Sequence, residues 1–124
     1  MNHVEIGKNY EEKVALFLEK QGFRILERNF RCRQGEVDII GIHESCLVFV
    51  EVKYRKNTRA GMPEEAVGVQ KQSKICKTSD YFRMGHRQYA HLQVRYDVVA
   101  VLSDEIRWHP NAFFYQIAKN GISW

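Results

Sequence analysis

The chain has 124 residues, 44% of them hydrophobic, and its 19 Lys and Arg against 15 Asp and Glu give a net charge of +4. This length supports one hydrophobic core and excludes two ordinary domains, so we expect a single domain over residues 1–124. No run approaches the roughly 18 apolar residues of a membrane span, and the start lacks the apolar core of a secretory signal. Three widely spaced cysteines form no Cys-x-x-Cys pair, which disfavours a disulfide framework and indicates a reducing cytoplasm.

Hydrophobic periodicity predicts helices and strands that alternate along the chain. In chain order we expect a helix that begins at about Lys8 and ends at Gly22, followed by a strand over Phe23–Phe30. A hairpin of Gly35–Ile42 and Leu47–Tyr54 comes next, and then a helix from Pro63 to about Met84. The last elements are a strand over Gln93–Leu102 and a short edge strand over Ile106–His109, which Pro110 ends. The residues after Phe114 give no clear pattern. A mixed α/β fold with a sheet flanked by helices is the expected architecture.

The hairpin carries charges inside runs of Val, Ile and Phe. If Glu44 and Ser45 lie at the centre of its turn, the numbers of paired residues sum to 89, so Asp38 lies opposite Glu51. The same register places Glu36 opposite Lys53. Lys53 is two residues beyond Glu51 and therefore shares its face of the sheet. A turn with an odd number of residues would break this pairing, because a slip of one residue changes the face.

Two opposed carboxylates repel each other unless a cation lies between them. Mg²⁺ is commonly held by one or two protein carboxylates together with water and substrate phosphate, so Asp38 and Glu51 are candidate ligands for Mg²⁺ or Mn²⁺. The alternative is structural: Glu51 pairs with Lys53 or Arg55 as a surface ion ladder. Asp97 also interrupts an apolar strand, and for it we favour structural pairing near Arg95.

The spacing of Asp38 and Glu51-Val52-Lys53 resembles the PD-(D/E)xK nuclease signature, except that Val37 stands where that signature has Pro. A longer set of segments resembles the YraN-like family of small bacterial proteins, from about Gly7 to Phe113. The segments are Asn29 to Ile40, Phe49 to Arg55, Val67 with Lys71-Gln72, Arg95 to Ala100, and Asn111 to Phe113. This family is uncharacterised in function, is expected to be endonuclease-like, and is similar to archaeal Holliday junction resolvases.

The resemblance implies a restriction-endonuclease-like fold, with an αβββαβ core in which a mixed central sheet is flanked by helices. It also implies a further carboxylate on the first helix. The family pattern counted back from Leu18 and Gly22 gives Glu11, which lies beside the apolar stripe, whereas a local match to Ala15 would give Glu12. We favour Glu11. An acidic residue near a helix N-terminus is also favourable without any function.

Together these observations predict a metal-dependent phosphodiesterase of PD-(D/E)xK type that acts on nucleic acid, DNA in preference to RNA. Asp38, Glu51, Lys53 and Glu11 are the candidate catalytic residues, and Arg31, Arg33, Arg55 and Lys71 are candidates for phosphate contacts. No motif for base-specific readout is present, so we expect structure-selective cleavage in DNA repair or recombination. The alternative is a non-catalytic nucleic-acid-binding or protein-interaction module with the same fold. We expect no membrane partner, and the sequence leaves a homodimer open.

Overall fold

The computed structural model describes residues 3–115, with side chains from residue 10 onward. Its elements are α1 (His3–Lys20), β1 (Arg24–Cys32), β2 (Gly35–His43), β3 (Cys46–Arg55), a 3₁₀ turn (Pro63–Ala66), α2 (Val69–Gly85), a second 3₁₀ turn (Arg87–Tyr89), β4 (Gln93–Leu102) and β5 (Glu105–Phe113). This is the predicted order of elements. Within the described residues, neither helix has the length and apolar character needed to cross a membrane.

The five strands form one mixed sheet in the order β1-β2-β3-β4-β5. Only the β3–β4 pair is parallel, because the chain returns through α2 between these two strands. One core cluster, which includes Phe49, Ile75 and Phe82, lies on the α2 face of the sheet. A second, which includes Val14 and Leu18 of α1, lies on the other face. The β2–β3 hairpin is therefore covered on both sides, and a mixed α/β fold is confirmed.

Both helices differ from the predicted boundaries. α1 begins at His3, before the predicted start at Lys8. The segment from Pro63 forms a separate 3₁₀ turn, and α2 begins only at Val69, after Gly68 in an extended conformation. The Gln72 amide donates a hydrogen bond to the Val67 carbonyl at 3.1 Å, which satisfies the backbone at this break.

β5 is longer than predicted, because Pro110 does not end it. Pro lacks an N–H donor but is tolerated on an edge strand, where one side of the backbone needs no partner. The β4–β5 register shifts between Tyr96 and Val98, and Asn111 has a φ of 54°. The N–H of Asn111 donates to the Asp97 carboxylate at 2.8 Å. A buried side chain of β4 thus replaces a ladder partner at this bulge, which periodicity alone could not predict.

Gly41 in β2 marks a close approach between the sheet and the chain that leads into β1. A Cβ atom there would overlap the Phe23 ring and the Arg24 carbonyl oxygen. We expect Gly41→Ala to lower the free energy of unfolding by about 1–3 kcal/mol, the usual cost of overpacking. Urea denaturation measures this. Gly85→Ala is the control, since a Cβ there meets nothing within 4 Å, and an equal loss in both variants would contradict the steric explanation.

Candidate metal and nucleic-acid site

The β2–β3 turn sets the register of the acidic residues. Glu44 and Ser45 have φ values of 49° and 64°, as in the two-residue turns that suit the twist of a hairpin. Pairing runs from His43 and Cys46 to Ile39 and Val50, so the predicted register is confirmed over this stretch. The ladder ends there, however, and Asp38 and Glu51 do not form a regular pair.

Asp38 lies where β2 separates from β3. In a regular hairpin of this register the N–H of Val52 would bond to the backbone of Val37, but it donates instead to Asp38 Oδ2 at 2.7 Å. Val37 packs in the α2-side core cluster and Ile39 in the α1-side cluster, although strict alternation would give them one face. The Asp38 carboxylate therefore accepts the hydrogen bond that the backbone of Val37 would accept in a regular ladder, at an irregular point of β2.

Glu51 is buried at 4% exposure on the face of β3 that carries Phe49 and packs against α2. Two ammonium groups lie 3.8 Å from its Oε1 atom, that of Lys53 on β3 and that of Lys71 on α2. Both distances exceed those of a direct hydrogen bond, and both lysine side chains are about one-third exposed. The structure thus brings Glu51, Lys53 and Lys71 together, as the sequence indicated.

Burial and mutual repulsion disfavour negative charge at this site. Burial, and next the neighbouring Asp38, raise the pKa of Glu51 to about 8 despite the two lysines. Burial also raises the pKa of Asp38, although its hydrogen bond from Val52 opposes this shift, and the charges of Glu36 and Glu11 add to it. A bound cation would relieve both effects, because it favours the ionised form of each carboxyl group.

The two candidate glutamates of α1 have different surroundings. Glu11 is half-buried, and its charge acts on Asp38. Glu12 is exposed and accepts a hydrogen bond from Arg28 at 2.7 Å. The preceding residue, Tyr10, stacks on Tyr54 with ring centroids 3.7 Å apart, which fixes this turn of α1 against the end of β3. The surroundings of Glu11 make it the better candidate for the site.

The predicted arginines do not gather around the acidic pair. Arg31 donates to Glu36 at 2.6 Å, directly across the β1–β2 ladder, so Glu36 pairs with Arg31 and the expected Glu36–Lys53 pairing is wrong. Strand β1 offers the nearer partner, which a hairpin considered alone cannot reveal. Arg33 is exposed in the β1–β2 turn, and Arg55 is half-buried at the end of β3.

Asp97 has the structural role that we favoured. It is fully buried and accepts two hydrogen bonds from Arg95, at 2.9 and 2.8 Å. Trp108 Nε1 donates a further one at 2.9 Å, besides that from Asn111 N. The carboxylate is thus enclosed by donors of β4 and β5.

The acidic pair fits a cation that keeps most of its water. Among the described residues, no group of three or more His, Cys, Asp or Glu side chains is placed to hold a metal. Asp38 and Glu51 would therefore supply two oxygen ligands, and water or phosphate the rest, a donor set that suits Mg²⁺ or Mn²⁺ and does not suit Zn²⁺.

The fold and this site define a small mixed α/β protein with an acidic pair, buried at Glu51 and half-buried at Asp38, flanked by lysines. A model of the uncharacterised protein family UPF0102 matches residues 10–101, which include every element of the site. The chain belongs to this family, the one that the sequence segments resembled under the name YraN-like.

Relatives from distant bacteria match over almost their whole length. A UPF0102 protein of Lachnoclostridium phytofermentans is 46% identical over 113 residues, covering 91% of this chain and 96% of the relative. A UPF0102 protein of Cytophaga hutchinsonii is 40% identical, with 88% and 95% covered. One of Dictyoglomus turgidum is 38% identical, with 91% and 100% covered. These names give the family and no activity.

Proposed function

We propose that this protein is a metal-dependent phosphodiesterase that hydrolyses nucleic acid, DNA in preference to RNA. The observation that carries the proposal is the convergence of Asp38, Glu51, Lys53 and Lys71 at one point of the sheet. Such a carboxylate pair is costly to maintain for stability alone, since burial and the repulsion between Asp38 and Glu51 oppose their ionisation. Two flanking lysines that remain partly exposed suit an anionic substrate.

Each residue has a role that follows from its position. Asp38 and Glu51 would hold the cation, with Asp38 oriented by the N–H of Val52. A bound Mg²⁺ or Mn²⁺ would polarise the phosphate and lower the pKa of an attacking water. Lys53 would orient that water, accept its proton, or stabilise the charge that develops on the phosphate. Lys71 would contact a phosphate oxygen from α2, and Glu11 would support the acidic pair.

The arrangement resembles that of restriction-endonuclease-like enzymes of PD-(D/E)xK type. The likeness lies in the αβββαβ order of elements and in the Asp38 and Glu51-Val52-Lys53 residues of adjacent strands. The resemblance to Holliday junction resolvases that the sequence segments imply leads us to propose branched DNA as the substrate, in repair or recombination. Fold likeness does not establish chemistry, so the activity depends on the site itself.

A basic surface next to the site favours a nucleic-acid substrate. Lys74 and Lys77 follow Lys71 along α2 and are exposed, and Arg33 is exposed in the turn whose Gly35 packs against Lys74 and Thr78. These residues supply cations for the phosphate backbone on the α2 side of the sheet. Such contacts position a substrate and carry no sequence information.

The direct test incubates the purified protein with fluorescently labelled duplex, flap, bubble and four-way-junction DNA, with Mg²⁺, Mn²⁺ or EDTA. We expect cleavage of at least one branched or partly unpaired substrate with a metal and none with EDTA. Binding of DNA without cleavage in any metal would instead identify a non-catalytic module. Cleavage that persists in EDTA would contradict the assigned role of Asp38 and Glu51.

The glutamates of α1 give a matched pair of variants. We expect Glu11→Gln to reduce metal affinity and cleavage by about 10–100-fold, the usual effect of losing a group that supports metal ligands. Glu12→Gln should leave both unchanged, because Glu12 pairs with Arg28 at the exposed surface. Metal titration of cleavage rates measures the difference. The opposite result, with Glu12 the sensitive residue, would reject our assignment.

A further inference from the structure

A cavity of about 600 Å³ lies beside the acidic pair and has no part in the roles given above. Its size is in the range of about 300–1,000 Å³ that is usual for small-molecule sites. Val98 forms part of its wall and is the β4 residue paired with Glu51 in the parallel β3–β4 ladder. Adjacent strands are about 4.8 Å apart, so the cavity opens next to the candidate metal site.

The second connection between the two sites is α2. Gln72 lines the cavity and directly follows Lys71, whose ammonium group lies 3.8 Å from Glu51. Val98 and Glu51 both lie on the face of the sheet that α2 covers, since Val98 belongs to the same core cluster as Phe49. A phosphate held at Glu51 would therefore place the neighbouring nucleotide at the mouth of the cavity.

The walls of the cavity combine apolar surface with a few polar groups. Val67, Val98 and Phe113 supply apolar surface, and Pro110 and Ala112 of the edge strand complete it. The polar groups are the Gln72 amide, the Glu64 carboxylate and the His109 imidazole, and Trp108 adds an aromatic ring to the wall. This composition suits a flat ring with apolar faces and a hydrogen-bonding edge, and a nucleobase has that chemistry.

Glu64 is a hydrogen-bond acceptor at the wall of the cavity, held in place by Arg107 and His109. Its hydrogen bonds from Arg107, at 2.8 and 2.9 Å, are the main reason that its pKa is lowered to about 2. His109 also contacts it at 2.9 Å. Glu64 is therefore ionised at neutral pH and accepts hydrogen bonds only, so a free lone pair of its carboxylate can receive an amino or imino N–H.

We propose that this cavity receives one unpaired nucleobase next to the phosphate that is cleaved. The proposal rests on the nucleic-acid substrate of the proposed function and adds its substrate class: DNA with an unpaired or easily extruded nucleotide. A base within an intact duplex must first lose its pairing and stacking, which disfavours fully paired DNA. The cavity thus gives a physical basis for structure selectivity without sequence readout.

The test uses Ala112→Trp, which places a large side chain at the cavity from an exposed position of β5. Ala90→Trp is the matched control, since Ala90 is also exposed and lies outside this cavity. Dissociation constants are measured in EDTA by fluorescence anisotropy for a bubble DNA with unpaired bases and for the corresponding full duplex. The bubble carries 2-aminopurine at one unpaired position as a reporter of base capture.

We expect the wild-type protein to bind the bubble at least 10-fold more tightly than the duplex, with a change in 2-aminopurine emission. Ala112→Trp should lose this preference and the emission change while its duplex affinity stays the same, and Ala90→Trp should behave as the wild type. Equal affinities of the wild type for both DNAs, or an unchanged preference in Ala112→Trp, would overturn the proposal. If these DNA-binding results overturned base capture but the protein still cleaved DNA with a metal, the proposed nuclease function would stand. If the protein captured the base but cleaved no DNA in any metal, only the nuclease function would be rejected.

Discussion

Glu51→Gln should abolish metal-dependent cleavage and, at alkaline pH without metal, make the protein more stable than the wild type. The loss of cleavage is expected to be about 10²-fold or more, because a neutral amide is a poor ligand and removes charge from the reacting centre. The gain in stability arises because the amide relieves the repulsion from Asp38 and leaves no buried charge at position 51. A crowded metal site predicts both the loss of cleavage and the gain in stability.

The pH dependence follows from the pKa of Glu51, which folding raises from 4.5 to about 8. Between these values the folded protein binds more protons than the unfolded chain, so the stability of the metal-free wild type falls as pH rises. The decline ends above about pH 8. At ~1.4 kcal/mol per pKa unit, reduced by local relaxation, we expect Glu51→Gln to be more stable by about 2–4 kcal/mol at pH 9 and nearly equal to the wild type at pH 4.

Urea denaturation in EDTA at several pH values measures this difference. Glu19→Gln is the matched control, because Glu19 is an exposed glutamate of α1, and its stability should follow the wild-type curve. Added Mg²⁺ or Mn²⁺ should stabilise the wild type and leave Glu51→Gln unchanged, since a ligand that binds only the folded state raises its stability. A loss of stability in Glu51→Gln at pH 9 would show that the carboxylate serves as a structural ion-pair partner of Lys53 and Lys71.

Much of the candidate site could be predicted because the residues of the β2–β3 hairpin are close together in the sequence. The polar break at Glu44 and Ser45 fixed the turn, and alternation then placed Glu51 and Lys53 on one face. The expectation for Lys71 came from the family resemblance and not from periodicity, and its ammonium group lies 3.8 Å from Glu51. Register and periodicity are determined by neighbouring residues, so a single sequence contains them.

Other features depend on contacts between distant segments. The pairing of Glu36 with Arg31 required the position of β1 beside β2. The separation of β2 from β3 at Asp38 breaks strict alternation, and its only local sign is the charge itself. The cavity beside Glu51 joins residues of α2, β4 and β5 with the 3₁₀ turn at Glu64, which no periodic pattern links. A carboxylate in a buried strand can indicate either a functional site, which we propose for Glu51, or a structural network, which the hydrogen bonds of Asp97 form.

Asp97 represents the structural case, and its removal should greatly lower the stability of the protein. We expect Asp97→Ala to lower the free energy of unfolding by about 3–5 kcal/mol, because the Arg95 guanidinium would lose its buried partner. The Arg95 side chain is 11% exposed, so water cannot readily replace the lost contact. The N–H groups of Trp108 and Asn111 would also lose their acceptor, and the β5 bulge with them. Urea denaturation at pH 7 measures the loss.

Asp38→Asn is the matched comparison that separates a structural carboxylate from one held for a cation. The amide oxygen can still accept the N–H of Val52, and the substitution removes a charge that burial and Glu36 disfavour. Its metal-free stability should therefore lie within about 1 kcal/mol of the wild type or above it, while cleavage is lost. If Asp97→Ala were as stable as the wild type and Asp38→Asn were unfolded, the roles would be reversed. The two aspartates lie on β2 and β4, the strands that flank β3, and they differ in their surroundings. Asp97 has a guanidinium, an indole and a backbone amide as donors, whereas Asp38 has a backbone amide and acidic neighbours, a setting that favours a metal ion.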